Sequence, residues 1–393
     1  MQIALWNSSG LNNIGDRLID EVTRSQIALR LPSANFRTYS PWPNPANRTE
    51  LLLIDRDGRW SEEGSADAIV IGGGAVLIGP PFRHPGLQTF FLGASPALFK
   101  DTCPIIWNAV CSDTEFQAAL YPTYAAYVCN AAKRVNWRTV RNKRTLEHLR
   151  NCGVPGNVTV VPDPVVLLKK PDKKRESGRG LSSVGVIVAR SEFPKSFIQE
   201  MVETAKLHEQ CCSDELYRPF IASGQIDSSE DANTWAQAIF HVRKTRSVEI
   251  AGFENMYDDH LLAASVARRI AEEPRIFTNS HAQEAIEWMR SKDCIVAGRL
   301  HHCILALVAG SVPIAIDMNF DPICETSKLK EFADASLSPS SYIDWQHLTA
   351  QTDRLSNHIE GCVQWASLVA DSHSDLYRAA NEHFDQLAEI LVG

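Results

Sequence analysis

The sequence predicts an α/β protein made of two doubly wound domains that face each other across a cleft. Short β-rich runs alternate with helical patterns through most of the chain, which is the signature of parallel strands joined by crossover helices. The chain has 393 residues, and single hydrophobic cores usually stop growing below that size, so two domains are expected. Ligands of such folds bind at the carboxyl ends of the strands, where the cleft would lie.

The first half of the chain contains strand patterns separated by helical ones. The predicted strands cover residues 2–6, 51–55, 67–73, 104–109, 134–140 and 158–163. The predicted helices cover residues 15–30, 86–99, 114–132 and 142–152. These elements define a first domain over residues 1–168.

The alternation restarts after residues 169–183, a segment rich in Lys, Pro, Gly and Ser that we interpret as a linker. New strands are predicted at residues 184–189, 247–253, 275–279, 293–298 and 312–317. They define a second domain over residues 184–345. Residues 346–393 show the pattern of two helices, which we expect to pack back across the domain interface.

The composition indicates a soluble protein and argues against two classes of partner. Hydrophobic residues make up 44% and charged residues 22% of the chain, and no apolar run approaches the roughly 18 to 20 residues of a membrane span. The net charge of −8 argues against broad nucleic-acid binding, because a phosphate-tracking surface needs a basic excess. The first six residues resemble a strand rather than a secretory signal, so we expect a cytoplasmic protein.

The passage "AGRLHHCILALVAG" places three basic side chains at the start of a helix. Gly298 ends an apolar strand, and Arg299, His301 and His302 then fall in the first turn of a helix that Gly310 ends. Cations there oppose the positive end of the helix dipole, so an anion is expected among them. The alternative is that Arg299 pairs with a surface carboxylate while one histidine packs in the core.

Arg141 repeats this arrangement in the first domain. A strand ends at Val140, and Arg141 opens the next helical pattern, so a second cation lies at a strand carboxyl end. Asp163 ends the last strand of that domain just before Pro164, and we interpret it as part of a structural turn.

Two further loops near the amino end are candidates for ligand contact. Asn13 and Asp16 lie at the start of the first helix, where Asp16 either caps the helix or faces a ligand. Gly73 and Gly74 follow a buried strand, where missing side chains permit either close approach to a ligand or a tight turn. His84, in the next loop, is a candidate proton-transfer group or an exposed side chain.

Several common cofactor motifs do not occur in the sequence. The glycine segment is not a G-x-G-x-x-G fingerprint, since Leu77 stands where the third glycine would be. Phosphate-loop, nucleophile-elbow and zinc-helix motifs are not found either. We therefore expect neither a nicotinamide or flavin cofactor nor a metal.

The motifs together resemble those of the polysaccharide pyruvyl transferase family. The resemblance rests on "NIGD" (13–16), "DAIVIGGG" (67–74), "VRNKRTLEHLRNCGV" with "VTVVPDP" (140–164), and above all "GRLHH" (298–302). It implies two Rossmann-like domains in a glycosyltransferase-B-like arrangement, with the donor on the second domain and the acceptor on the first. The donor would be phosphoenolpyruvate and the acceptor a sugar diol of a polysaccharide or its precursor.

The resemblance also implies roles for individual residues. Arg299, Leu300 and His301 would line the donor pocket, with Arg141 facing them from the first domain. His301 would contact phosphate or transfer a proton, and no metal would be required. The lysine that the family often carries after the last strand is missing here, so either Lys328 replaces it or one anion contact is lost.

Two other functions remain open from the sequence. One is a sugar-nucleotide glycosyltransferase of similar architecture, in which the same helix start would hold a diphosphate. The other is a catalytically silent binding protein of a polysaccharide locus, favoured if salt bridges fill the pocket. The acceptor sugar, its attachment to a lipid, the stereochemistry of the ketal and the oligomeric state are not specified by the sequence.

Overall fold

The computed structural model describes most of both predicted domains. The described residues are 1–7, 13–40, 49–51, 66–77, 103–112, 122–170, 181–190, 229–255, 258–278, 282–318, 327–362, 365 and 368–393. They form two parallel β-sheets, one in each half of the chain. The prediction of a two-domain α/β fold is confirmed.

The first sheet has seven strands in the order β3-β2-β1-β4-β5-β6-β7. Its strands are β1 (Gln2–Trp6), β2 (Asn35–Ser40), β3 (Thr49–Leu51), β4 (Ala68–Leu77), β5 (Ile105–Ser112), β6 (Trp137–Val140) and β7 (Thr159–Val160). The helices described in this half are α1 (Ile14–Arg30), α2 (Pro122–Arg134) and α3 (Lys143–Asn151), with a 3₁₀ turn at Pro164–Leu167.

The second sheet repeats the topology in the order β10-β9-β8-β11-β12-β13. Its strands are β8 (Ser183–Ile187), β9 (Ser247–Phe253), β10 (Arg275–Phe277), β11 (Cys294–Ala297), β12 (Val312–Asp317) and β13 (Tyr342–Asp344). The helices are α4 (Ser229–Arg243), α5 (Asp259–Arg269), α6 (Ala282–Arg290), α7 (Leu300–Ala309), α8 (Lys328–Ser336), α9 (Trp345–Ala350), α10 (Arg354–Gly361) and α11 (Val369–Val392).

Both sheets follow the Rossmann strand order 3-2-1-4-5-6, and the first adds a seventh strand. In this order the chain changes direction between β1 and β4, and again between β8 and β11. The segments that follow β1 and β11 therefore start at the two switch points, where doubly wound sheets bind ligands. The segment after β1 leads into α1, and the segment after β11 leads into α7.

The last helix returns to the first domain, as the sequence predicts. On α11, His383 Nε2 lies 2.6 Å from Asn108 Oδ1 on β5, and Arg30 of α1 donates to Asp385 at 2.7 Å. His373 Nε2 lies 3.0 Å from the carbonyl oxygen of Val166. None of the helices in the described ranges combines the length with the apolar composition that a bilayer-spanning segment needs. The C-terminal helix thus connects the two halves of the protein.

Some element boundaries differ from the predictions. The predicted C-terminal pair of helices is three helices in the described residues, α9 to α11, because Gln351 and Cys362 each interrupt the pattern. Strand β2 was not predicted since its sequence, NFRTYS, lacks an apolar run. The helix predicted at 86–99 lies outside the described residues, as does most of the strand predicted at 51–55.

Acidification is expected to weaken the attachment of α11 through His383. Burial, followed by the nearby Arg30 charge, lowers the pKa of His383 to about 4. A histidine with a depressed folded-state pKa stays neutral in the folded protein while the unfolded chain takes up a proton. Its contribution to the free energy of unfolding is therefore present above pH 6.5 and is lost as pH falls toward 4.

The test is urea unfolding of the parent and of His383→Gln at pH 7.0 and pH 4.5. The parent should lose about 2 kcal/mol more unfolding free energy over this interval than the variant, which has no imidazole to titrate. Equal losses in the two proteins would contradict the assignment.

Candidate active site

His301 lies at the interface of the two domains. It belongs to the first turn of α7, which begins after Arg299 at the carboxyl end of β11. Its ring packs against Gly15 in the first turn of α1 in the other domain, so closely that a Cβ atom at residue 15 would lie 1.9 Å from His301 Nδ1. Only glycine fits at residue 15 without displacing the histidine. The "NIGD" and "GRLHH" segments thus meet in space.

The other side of the His301 ring faces a buried ion pair. Arg141 Nη1 donates to Asp163 Oδ2 at 2.7 Å, and both side chains are about 95% buried, with 6% and 5% exposed. His301 Nε2 lies 3.3 Å from Arg141 Nη1 and 3.4 Å from Asp163 Oδ2. Asp163 also accepts from the backbone N–H of Val165, which fixes the turn after β7. Residues from three strand ends therefore converge on one point.

The charges in this cluster stabilise one another. Burial alone would raise the pKa of Asp163, but Arg141 and His301 outweigh it and hold that pKa well below its usual value. Burial alone would lower the pKa of Arg141, and the nearby Cys111 and Asp163 raise it instead. Asp163 is thus an anion and Arg141 a cation throughout the neutral pH range.

Cys111, at the end of β5, is a further member of the cluster. Its side chain is fully buried, and it accepts hydrogen bonds from Asn142 at 3.4 Å and Thr145 at 3.8 Å. Burial would raise the pKa of this thiol, but the positive charges of Lys328 and Arg141 lower it. The electrostatic potential at the Cys111 thiol is therefore positive.

Asn13 and Asp16 have different roles in α1. Asn13 is the N-cap: its side-chain oxygen accepts from the backbone N–H of Gly15 at 3.0 Å. Its side-chain amide donates to Asp16 Oδ2 at 2.9 Å. Asp16 is buried, and burial raises its pKa despite the opposing charges of His301, Arg141 and Lys328. The helix cap predicted as one possibility for Asp16 is made by Asn13.

Arg299 makes a buried ion pair within its own domain. It donates to both carboxylate oxygens of Asp259, from Nε at 3.1 Å and from Nη2 at 2.9 Å. Asp259 is fully buried and also accepts from the backbone of Arg190 and the side chain of Asn255. The partner is thus a core carboxylate, not the surface carboxylate of the alternative interpretation, and the pair fixes the turn that carries Leu300 and His301.

His302 lies in the core behind the site. It is 2% exposed, and its ring stacks on Phe253 with centroids 4.3 Å apart. Burial lowers its pKa to about 3, so it is neutral at physiological pH. Direct substrate contact, predicted from the sequence, does not fit this position, because the ring is enclosed in the core and stacked on Phe253.

Lys328 reaches the cluster from the start of α8. The helix is capped by Ser327, whose hydroxyl donates to Asp317 at the end of β12; Tyr342 also donates to Asp317, at 2.7 Å. One turn after Lys328, the side chain of Glu331 accepts from the backbone N–H of Arg144 across the cleft at 2.7 Å. Residues three apart share a helix face. Lys328 therefore lies on the face of α8 that looks toward the first domain.

The remaining predicted residues lie elsewhere. Gly73 and Gly74 belong to β4, which continues to Leu77, so the glycine segment is part of the strand rather than a loop after it. At the adjacent Gly72, a Cβ would lie 2.2 Å from the carbonyl oxygen of Asn108. The close packing of β4 against β5 therefore explains why residue 72 is a glycine. Leu300 is half-buried and packs against the hydrophobic core. His84 lies outside the described residues.

Sequence reasoning missed two carboxylates that the site depends on. Asp163 was interpreted as a structural turn, yet it follows β7 at the same sheet edge as Arg141, and that shared edge was the available signal. No such signal was available for Asp259, because it lies far from Arg299 in the sequence and the two residues meet only in the folded chain. Both carboxylates pair with arginines that the sequence did identify.

Comparisons with known proteins agree with the fold and the motifs. The family model described as "Polysaccharide pyruvyl transferase" matches residues 13–319. No curated protein matches the sequence.

Solved structures with similar folds are very different in sequence. The UDP-GlcNAc 2-epimerase from Neisseria meningitidis bound to UDP-GlcNAc has a TM-score of 0.50 and 9% identity, covering 98% of this chain and 99% of that one. The Staphylococcus aureus MnaA–UDP structure has a TM-score of 0.50 and 8% identity, covering 97% and 94%. At these identities the likeness shows the fold alone, two Rossmann-like domains in a glycosyltransferase-B-like arrangement.

Removing the charge of Asp163 is expected to destabilise the protein strongly. In Asp163→Asn the buried Arg141 guanidinium loses its counter-ion, which for a buried pair costs about 3 kcal/mol or more of unfolding free energy. Asp375→Asn is the control, because the Asp375–Arg378 pair is about 70% exposed on both sides and such pairs contribute within about 0.5 kcal/mol. Urea unfolding measures both, and equal effects would refute the structural role given to Asp163.

Proposed function

The chain belongs to the polysaccharide pyruvyl transferase family, and on that premise we propose that it transfers a pyruvyl group from phosphoenolpyruvate to a sugar diol. The product is a cyclic ketal on a surface polysaccharide or its precursor, and phosphate is released. The observation that carries the proposal is the interdomain cluster in which His301 lies between Gly15 and the Arg141–Asp163 pair. This cluster brings the family's NIGD segment and its GRLHH segment together in one site.

The charge of the cluster suits this donor. Phosphoenolpyruvate carries a phosphate and a carboxylate, and arginine binds the planar oxygens of either group in a bidentate manner. Arg141 uses Nη1 for Asp163, while its buried Nε has no hydrogen-bond partner among the residues that the structure describes. Arg141 is therefore our primary donor-binding residue.

Lys328 supplies a second positive charge. It belongs to the other domain, on the face of α8 where Glu331 accepts from the backbone of Arg144, and its charge lowers the pKa values of Asp16 and Cys111. We assign it the role of the lysine that family members often carry nearer the last strand. Donor phosphate between Arg141 and Lys328 would thus contact both domains at once.

Arg299 has a positioning role in this scheme. Its Nε and Nη2 groups are committed to Asp259, so the guanidinium holds the turn before His301. This positioning role differs from the direct contact between Arg299 and the donor that the motif implies. The ion pair also explains why a cation is tolerated at the positive end of the α7 dipole, because Asp259 neutralises the charge of Arg299.

The reaction needs protonation of the donor's C3 methylene, which leaves positive charge at C2. One sugar hydroxyl then attacks C2, and the neighbouring hydroxyl displaces phosphate and closes the ketal ring, its proton leaving with the phosphate. Fixed charges of Arg141 and Lys328 stabilise the phosphate as negative charge builds on it, and burial strengthens that effect. The saccharide acceptor, with or without a lipid carrier, approaches from the first domain, and the cytoplasm is the proposed location.

The two competing functions make different predictions at this site. A sugar-nucleotide glycosyltransferase would bind a UDP or GDP sugar in the cleft; UDP and UDP-GlcNAc are ligands named for two proteins of similar fold. A silent binding protein would keep both arginines in ion pairs, which is how Arg141 and Arg299 stand. Donor binding distinguishes all three.

Lys328→Ala is expected to weaken phosphoenolpyruvate binding at least tenfold, since one charge-assisted contact is worth about 1.5 to 3 kcal/mol. Lys330→Ala is the matched control: it lies on the same helix, but its ammonium pairs with Asp334 at 2.9 Å. Titration calorimetry of the parent and both variants measures the dissociation constants.

The control variant should bind within about twofold of the parent, because an exposed i,i+4 pair contributes little. If the folded parent binds UDP-GlcNAc and not phosphoenolpyruvate, the glycosyltransferase function replaces the proposed one. If it binds neither, the silent function does.

A further inference from the structure

Two buried carboxyl groups near His301 have opposite environments. Asp163 faces the Arg141 guanidinium directly and accepts a backbone N–H as well. Asp16 accepts only a neutral amide hydrogen, from Asn13, in the hydrogen bonds that the structure describes for it. Asp163 is thus held as an anion by its ion pair, and Asp16 is the carboxyl group of the two whose surroundings favour the protonated form.

Both nitrogens of His301 face protein neighbours. Nδ1 packs against Gly15, where an added Cβ would lie 1.9 Å away, and Nε2 faces Arg141 and Asp163. Only 12% of the side chain is exposed, which leaves little of the ring open to a substrate. Proton transfer, which the family motif suggested for His301, therefore needs another group.

We propose that Asp16 is the acid that protonates the C3 methylene of phosphoenolpyruvate. The inference rests on the proposed function and deepens it. Asp16 is a buried residue of the first turn of α1, next to the Gly15 that contacts His301 of the second domain. Among the charges that act on its carboxyl group, that of His301 is the largest.

The balance of charges supports a protonated Asp16. Burial is the largest influence on its pKa and raises it, the negative charge of Asp163 acts in the same direction, and His301, Arg141 and Lys328 oppose both. A neutral Asp16 also leaves the site positive, because Asp163 then offsets only one of the cations. This is the state that an anionic donor would meet.

The chemical step is balanced without a further reactant. The O–H bond of Asp16 breaks and a C3–H bond forms from the π electrons of the donor's C2=C3 double bond, which leaves an oxocarbenium-like C2 and an Asp16 carboxylate. The first sugar hydroxyl bonds to C2 through oxygen and gives its proton to that carboxylate. The acid is thereby restored before phosphate leaves.

Asp20 provides a matched control one turn later on α1. It is also buried, and burial raises its pKa as well. Its carboxylate is held by Asn7 at 2.7 Å, Arg24 at 3.2 Å and Thr38 at 3.3 Å, one helical turn farther along α1 from the contact between Gly15 and His301. Asp20→Asn thus removes a comparable buried carboxyl group away from His301.

The experiment follows exchange of the donor's C3 protons for deuterium by proton NMR, with phosphoenolpyruvate and methyl galactopyranoside in D₂O. Donor binding is measured in parallel by calorimetry for the parent, Asp16→Asn, Asp16→Glu and Asp20→Asn. Reversible protonation gives a methyl group that rotates and loses one of three hydrogens, so the vinyl signals should disappear with the parent.

Asp16→Asn should bind the donor within about threefold of the parent and exchange its protons 10² to 10⁴-fold more slowly, the usual range for loss of a general acid. Asp16→Glu should recover part of the rate, Asp20→Asn should match the parent, and the parental rate should fall as pH rises, because the protonated acid is the active form.

Exchange by Asp16→Asn at the parental rate would overturn the assignment of Asp16, as would a parent that binds the donor without exchanging its protons. A folded parent that does not bind phosphoenolpyruvate would instead overturn the proposed function. The two failures are therefore distinguished by the calorimetry.

Discussion

The buried Arg141 guanidinium is the constraint on which the site depends. An isolated cation cannot remain buried without compensation, so Asp163 must lie beside it, and the end of β7 is fixed by that requirement. His301 packs against the pair from the second domain and against Gly15 on its other side. The Arg141–Asp163 pair of the first domain and His301 of the second thus form one cluster at the interface.

A second ion pair has the complementary role. Arg299 and Asp259 are bound by two hydrogen bonds in the second domain, so the turn before α7 is held in place without any contact from the first. Helix α11 extends from the second domain onto α1 and β5 and ties the two halves together.

Much of the fold follows from the sequence because strand and helix periodicities are local. The repeated Rossmann order, the start of α7 and its end at Gly310 were all indicated by residues within a few positions of each other. The ion pairs were not, since Arg141 with Asp163 and Arg299 with Asp259 are joined only by folding. His302 illustrates the same limit: adjacent histidines look equivalent in sequence, yet one lies at the interface and its neighbour stacks on Phe253.

The most direct test of the account is a crystal structure of the chain with phosphoenolpyruvate. We expect the donor between the domains, with its anionic groups on Arg141 and Lys328 and its C3 carbon facing Asp16. His301 should keep its contact with Gly15. A donor bound away from Arg141, for example beside Arg190 in the second domain, or one that displaces His301 from α1, would contradict the central claim that the two motif segments form one donor site.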